Sequence, residues 1–200
     1  MDRINALVRR VPTGVVWISG LVPLAWLVWA AAANTLGADP VKAIEHSLGL
    51  WGLQFLIASL CVTPLRRTGL NLIRFRRALG VLAFVYVALH FTAWIVLDMG
   101  LRWTEIVADL WKRPYIIVGM VGLLSLIPLA ATSTDRAIRW LGGAQWRRLH
   151  RLAYLAAAAG VVHFVLLVKG WPPEPLLYAG AVAALLGLRL ALRRGAPVRT

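Results

Sequence analysis

The chain has 200 residues, of which 60% are hydrophobic and 15% charged, and its mean hydropathy is +0.73. Soluble domains hold about 45–50% apolar and about 25% charged residues, so disorder, collagen and a disulfide scaffold are excluded and a multi-span membrane protein is indicated. The net charge of +14 would suggest nucleic acid in a soluble protein, but here its placement along the chain has another explanation.

A helix needs about 20 apolar residues to cross about 30 Å of hydrocarbon. Six stretches meet this, at about 14–33, 46–64, 78–97, 114–132, 149–168 and 175–192. They predict an all-α, polytopic protein, a single transmembrane domain over 1–200 with no room for a soluble domain. The first stretch follows Arg9-Arg10 and ends in Ala30 to Ala33, as a signal peptide would. Its apolar run exceeds the usual 7–15 residues of such a segment, so a retained anchor is expected. Between the third and fourth stretches, residues 102–112 alternate acids with Trp103, Ile106, Val107 and Leu110 and predict a short amphipathic helix on the membrane surface.

With the N-terminus inside, the N-terminus, the 65–77 and 133–151 loops and the C-terminus hold 17 of the 22 basic residues. The outer loops hold Lys42, Arg102, Lys112, Arg113 and Lys169 with six of the eight acids. This is the positive-inside pattern of an even number of spans, and it replaces nucleic acid as the reason for the charge. Trp51, Trp94 and Trp171 are expected at the outer interface, and Trp17, Trp140 and Trp146 at the inner one.

All four histidines, His46, His90, His150 and His163, lie in or beside spans. Ionisable groups within a membrane are costly and usually functional. His90 on the third span and His163 on the fifth, both running outward, come to similar depth in the outer half at about 1.5 Å per residue. Two facing neutral imidazoles can hold both axial positions of a haem iron. Small residues beside them (Ala83, Ala88, Ala93; Ala156 to Gly160) leave room for a flat macrocycle. The residues alone also allow each histidine to hydrogen-bond a neighbouring helix. Zinc is disfavoured, because no third or fourth ligand accompanies the pair except His46.

His150 stands 13 residues before His163, about 19.5 Å along the axis but about 140° away in angle on an ideal helix. The position opposite it on the third span is Arg77, so a second bis-histidine haem is not written. An inner site would combine His150 with Arg76, Arg77, Arg147 and Arg148, whose guanidiniums suit haem propionates or a flavin phosphate. Simple topology explains the same arginines. His46 opens the second span after Asp39-Pro40-Val41-Lys42, as an interfacial residue, a ligand or a relay.

In chain order, Leu36-Gly-Ala-Asp-Pro-Val-Lys42, His46, Thr63-Pro-Leu65, Arg76-Arg77 with Leu79-Gly80, Leu89-His90 and Arg113-Pro-Tyr115 form a recognisable series. Thr132-Ser-Thr134, Trp146 through Leu149-His150, Tyr154, His163 with Val168-Lys169 and Tyr178-Ala-Gly180 continue it. The series resembles the haem-binding membrane subunit family of the bacterial periplasmic protein-methionine-sulfoxide reductase system (the MsrQ/YedZ family). More distantly it is similar to ferric-reductase and NADPH-oxidase membrane domains, which carry haem between the third and fifth of six helices. The resemblance implies a six-helix b-type cytochrome of the bacterial inner membrane with both termini cytoplasmic. It implies His90 and His163 as haem ligands and His150 as a third functional histidine, with one haem, or two if His150 also ligates. It implies FMN as a further cofactor, and the quinone pool or a cytosolic flavin reductase as electron donor. The acceptor it implies is a periplasmic molybdopterin methionine-sulfoxide reductase in a heterodimer. The chain would then be the electron-transfer subunit rather than the substrate-reducing one, with Trp103, Trp111 and Trp171 on its docking face. The alternatives are a stand-alone ferric or cupric reductase, or a transporter, which lacks support because Asp98 and Glu174 lie at span ends.

Overall fold

The computed structural model describes residues 2–168, 170 and 172–194. Lys169, Trp171 and Arg199, expected at the two surfaces, lie outside the described residues, as do the side chains of Arg193 and Arg194. Ten α-helices follow one another among the described residues: α1 (Asp2–Arg10), α2 (Thr13–Ala32), α3 (Pro40–Arg67), α4 (Arg76–Ala93), α5 (Trp103–Lys112), α6 (Pro114–Ala131), α7 (Asp135–Leu141), α8 (Gly143–Leu149), α9 (Leu152–Leu167) and α10 (Pro173–Arg194). A 3-10 turn over Ile73–Phe75 leads into α4, and a π-helical turn over Trp94–Asp98 ends it.

Among the described residues six helical stretches are long and apolar enough to cross a membrane, in the order expected from the sequence. They carry apolar side chains outward as well as inward. On α2, Ile18, Val22, Trp26 and Trp29 are exposed while only Gly20, Leu27 and Ala30 are buried. A helix apolar all round needs lipid on its outer side. The amphipathic helix expected at 102–112 is α5, with Ile106 buried and Trp103, Val107 and Trp111 exposed at a spacing of four residues.

The second span differs from expectation at its start. Hydropathy begins it near His46, whereas α3 begins at Pro40. Asp39 caps the helix by accepting from the Lys42 amide at 3.0 Å, and Pro40 supplies the preset φ of a first turn. This draws Glu45 into the helix, where it is buried. The 133–151 connection, expected as a loop, holds α7 and α8. Thr134 caps α7, and Gly142, at φ +75°, makes the corner between the two helices.

Two side chains repair helix backbones across the bundle. The Tyr86 hydroxyl on α4 donates to the Gly20 carbonyl at 2.7 Å and accepts from the Leu24 amide at 3.1 Å. It thereby enters the hydrogen-bond ladder of α2 beside Pro23. On α3, Pro64 has no amide to offer the Leu60 carbonyl, and the buried Arg189 of α10 donates to that carbonyl instead. The other arm of Arg189 donates to the Tyr154 hydroxyl at 2.7 Å. Tyr86→Phe removes both of its hydrogen bonds from a fully buried site. It is expected to cost about 1–2 kcal/mol in reversible unfolding in detergent. Unchanged stability would show that α2 closes its own ladder.

The ends of the bundle separate by charge. At one end Asn5 donates to the Gly69 carbonyl, Arg74 donates to the Arg9 carbonyl, and Arg77 pairs with Asp135. The Arg77 guanidinium holds the Asp135 carboxyl below the usual carboxylate range. At the other end Lys42 pairs with Asp98 at 2.8 Å and Glu45 at 3.2 Å, and Arg113 pairs with Asp109 at 3.1 Å. The N-terminus and the arginine-rich 65–77 and 133–151 connections therefore lie at one end, as alternating spans require.

Candidate functional site

The core packs α3 against α4 and α6 against α9, with buried Leu56, Leu60, Ala83, Leu126, Ala156 and Ala157 between them. The second helix of each pair presents one histidine to the same cavity, of about 180 Å³. His90 of α4 and His163 of α9 face each other there, with ring centres 6.1 Å apart and ring planes at 79°.

Both rings are oriented by the same device. His90 Nδ1 lies 2.8 Å from the Glu45 carbonyl on α3, and His163 Nδ1 lies 2.7 Å from the Tyr115 carbonyl at the start of α6. A carbonyl only accepts, so each Nδ1 carries the proton and donates it. Each Nε2 is left with its lone pair, the form in which neutral imidazole binds a metal.

Glycine makes this approach possible. In a helix the carbonyl of residue i lies below residue i+4, and the residues four beyond Glu45 and Tyr115 are Gly49 and Gly119. A Cβ on Gly49 would lie 3.2 Å from His90 Nδ1, and one on Gly119 only 2.8 Å from His163 Nδ1. The two helix pairs thus repeat one arrangement: carbonyl, glycine one turn on, imidazole across. A second glycine follows three residues on in each pair: a Cβ on Gly52 would lie 2.7 Å from Val87, whereas one on Gly122 would meet Ala159 at an ordinary 3.6 Å.

The arrangement suits a planar metal macrocycle. A metal bonded to one nitrogen of each ring at about 2 Å would hold the ring centres roughly 6 Å apart, the separation found. The cavity has an apolar floor of Leu53, Leu56, Leu123, Leu126 and Ala156, with Gly160 leaving space beside His163. Among the described residues no three of His, Cys, Asp and Glu cluster as a metal-ion site, so the chemistry on offer is two-ligand.

The remaining candidates lie apart from this pair. His46 lines the mouth of the cavity, edge-on to Phe164 and 3.9 Å from Glu174. His150 sits toward the arginine-rich end, stacked on Trp146 at 3.8 Å, with Nε2 3.1 Å from Thr132 Oγ1. That hydroxyl donates to the Pro128 carbonyl, so it accepts from His150, whose free nitrogen is Nδ1. Arg76 is half-buried and Arg77, Arg147 and Arg148 are exposed; none of the four lines the His90–His163 cavity. Of the small residues expected to leave space, Ala156 and Gly160 do line it, whereas Ala83 packs in the core. Sequence reasoning missed Gly49, Gly119, Glu45 and Tyr115. The available signal was a glycine followed three residues later by another, once on each helix facing a histidine helix.

Residues 46–172 match the family described as ferric reductase like transmembrane component. The chain is also 52% identical over 176 residues to the protein-methionine-sulfoxide reductase heme-binding subunit MsrQ of Brucella ovis, covering 88% of this chain and 80% of the relative. The subunit of the same name from Brucella anthropi is 52% identical over 172 residues, or 86% and 78% of the two chains. That from Brucella canis is 52% identical over 176 residues, or 88% and 80%.

Proposed function

The chain belongs to the MsrQ family, within the ferric-reductase-like transmembrane proteins, and from that premise we propose that it is a b-type cytochrome subunit passing electrons outward across a bacterial inner membrane. Six apolar helices and the family make it a multi-pass membrane protein. The arginine-rich end is assigned to the cytoplasm by the positive-inside rule, which puts His90 and His163 in the periplasmic half. The electrons come from the quinone pool or a cytosolic flavin reductase. They go to a periplasmic molybdopterin methionine-sulfoxide reductase, supporting repair of oxidised proteins.

The observation that carries this reading is the pair of imidazoles, each fixed at Nδ1 by a backbone carbonyl and each lining one cavity. His90 and His163 would hold haem b through Nε2, and the haem supplies one-electron chemistry. The protein residues do the rest. The Glu45 and Tyr115 carbonyls set the tautomer and make both ligands more basic. The leucine floor keeps water from the site, and the surrounding spans give it a low-dielectric setting. His150, with Arg76, Arg77, Arg147 and Arg148, is the place for a second anionic cofactor, a flavin mononucleotide or a second haem, at the cytoplasmic end.

The test is electron delivery. Purified chain, reduced and mixed with a periplasmic molybdopterin reductase, should reoxidise when methionine sulfoxide is added and only when that partner is present. Reoxidation by ferric chelates at the same rate, with none through the partner, would overturn the reading in favour of a stand-alone metal reductase.

A further inference from the structure

The cavity that holds His90 and His163 is strongly asymmetric along its length. Below the histidines it is walled by Leu53, Leu56, Leu123, Leu126 and Ala156. Above them its lining changes to Lys42, Glu45, His46, Asp98, Arg113 and Tyr115. A carboxylate pushed onto the leucine floor would lose its hydration with nothing in return. An amphiphilic macrocycle with one carboxylate edge therefore has one favourable orientation here.

Resting on the haem reading above, we propose that Lys42 and Arg113 at the mouth receive the carboxylate edge of the macrocycle, and that the arginines of the opposite end do not. Both cations have donors to spare. The Lys42 ammonium has three N–H groups, of which the bonds to Glu45 and Asp98 engage two. The Arg113 guanidinium has five, of which those to Tyr115 and Asp109 engage two. Both side chains are about half exposed, at 55% and 52%, so they can swing onto a ligand without breaking the bundle. Glu45, Asp98 and Asp109 share the rim and outnumber its two cations by one, so the contribution comes through directed hydrogen bonds rather than a broad field. Arg77 is 13 residues before His90, about 20 Å down the same span, with the leucine floor between.

The rim also bears on where electrons leave. Lys42, Asp98 and Arg113 belong at once to the cavity and to a charged surface depression formed with Arg102, Glu105 and Lys112 of the α5 region. The carboxylate edge would thus lie beside the surface open to a partner.

The test uses the haem-loaded protein in detergent. Lys42→Met and Arg113→Gln should each speed haem transfer to apomyoglobin by about tenfold, the worth of one charge-assisted hydrogen bond. Each should also lower the midpoint potential, because removing a nearby cation favours the ferric charge. Lys42→Arg should restore both, and Arg66→Gln and Arg139→Gln, exposed at the opposite end, should change neither. The deciding arm is protein loaded with haem dimethyl ester, whose carboxylates are blocked. There the Lys42 and Arg113 substitutions should leave the rate of haem transfer unchanged. Equal acceleration with both haems, or acceleration confined to Arg76→Gln and Arg147→Gln, would overturn the assignment. A parent chain that binds no haem would instead overturn the haem reading on which it rests.

Discussion

His90→Ala and His163→Ala are each expected to remove the haem. Even substitutions outside the ligands of a metal site lower affinity by about 10–100-fold, so loss of a ligand should leave less than about a tenth of the parent haem occupancy at the His90–His163 site. The two variants should resemble each other, because the cavity offers one imidazole from each side and His46 is engaged at the mouth beside Phe164 and Glu174. Haem content is read by pyridine haemochrome against protein concentration. A variant that retains the parent content would show that the 6.1 Å pair is a packing contact. Outward electron transfer should fail with the haem in both.

The second large effect belongs to a residue with no chemistry of its own. Gly119→Val would place a Cβ 2.8 Å from His163 Nδ1, closer than real Cβ contacts come, and add two methyl groups beyond it. The imidazole cannot retreat without giving up its 2.7 Å bond to Tyr115. Haem affinity should fall by about 10–100-fold, the range for loss of an orienting partner. What haem remains should show a higher midpoint potential, since a less basic imidazole stabilises the ferric state less. A merely structural defect would lower yield without moving the potential. Gly49→Ala, with its Cβ at 3.2 Å from His90, should act the same way more weakly. Gly180→Ala, which meets open space, should have no effect on either reading. Parent affinity and potential in Gly119→Val would remove the glycine from the account.

The sequence carried the spans and the histidine depth because both follow from length. A span's residue count sets the depth of His90 and His163, and two spans running the same way bring equal offsets to equal depth. The orienting partners were not legible in the same way. That His90 meets the Glu45 carbonyl depends on which helices pair and on their rotation, and a lone sequence records neither. Glu45 itself was hidden by the choice of span start. Hydropathy begins the helix at the first sustained apolar run, whereas the Asp39 cap and Pro40 begin it at residue 40. The repair of α3 by Arg189 was hidden for a related reason. A basic residue near the end of the last span reads as topology, and only the missing amide of Pro64 shows what its guanidinium answers. The four arginines grouped with His150 are ambiguous in the same sense. Positive-inside topology and anion binding ask for identical residues, and the structure adds only that they stand away from the His90–His163 cavity.

The most direct test of the central claim is the oxidised and dithionite-reduced absorption spectrum of the purified chain, expressed with ample haem, together with the low-temperature paramagnetic resonance of its ferric form. The account predicts a b-type spectrum and a low-spin signal with two imidazole ligands, both lost in His90→Ala and in His163→Ala. A chain without haem, or a haem whose signal survives both substitutions, would contradict it.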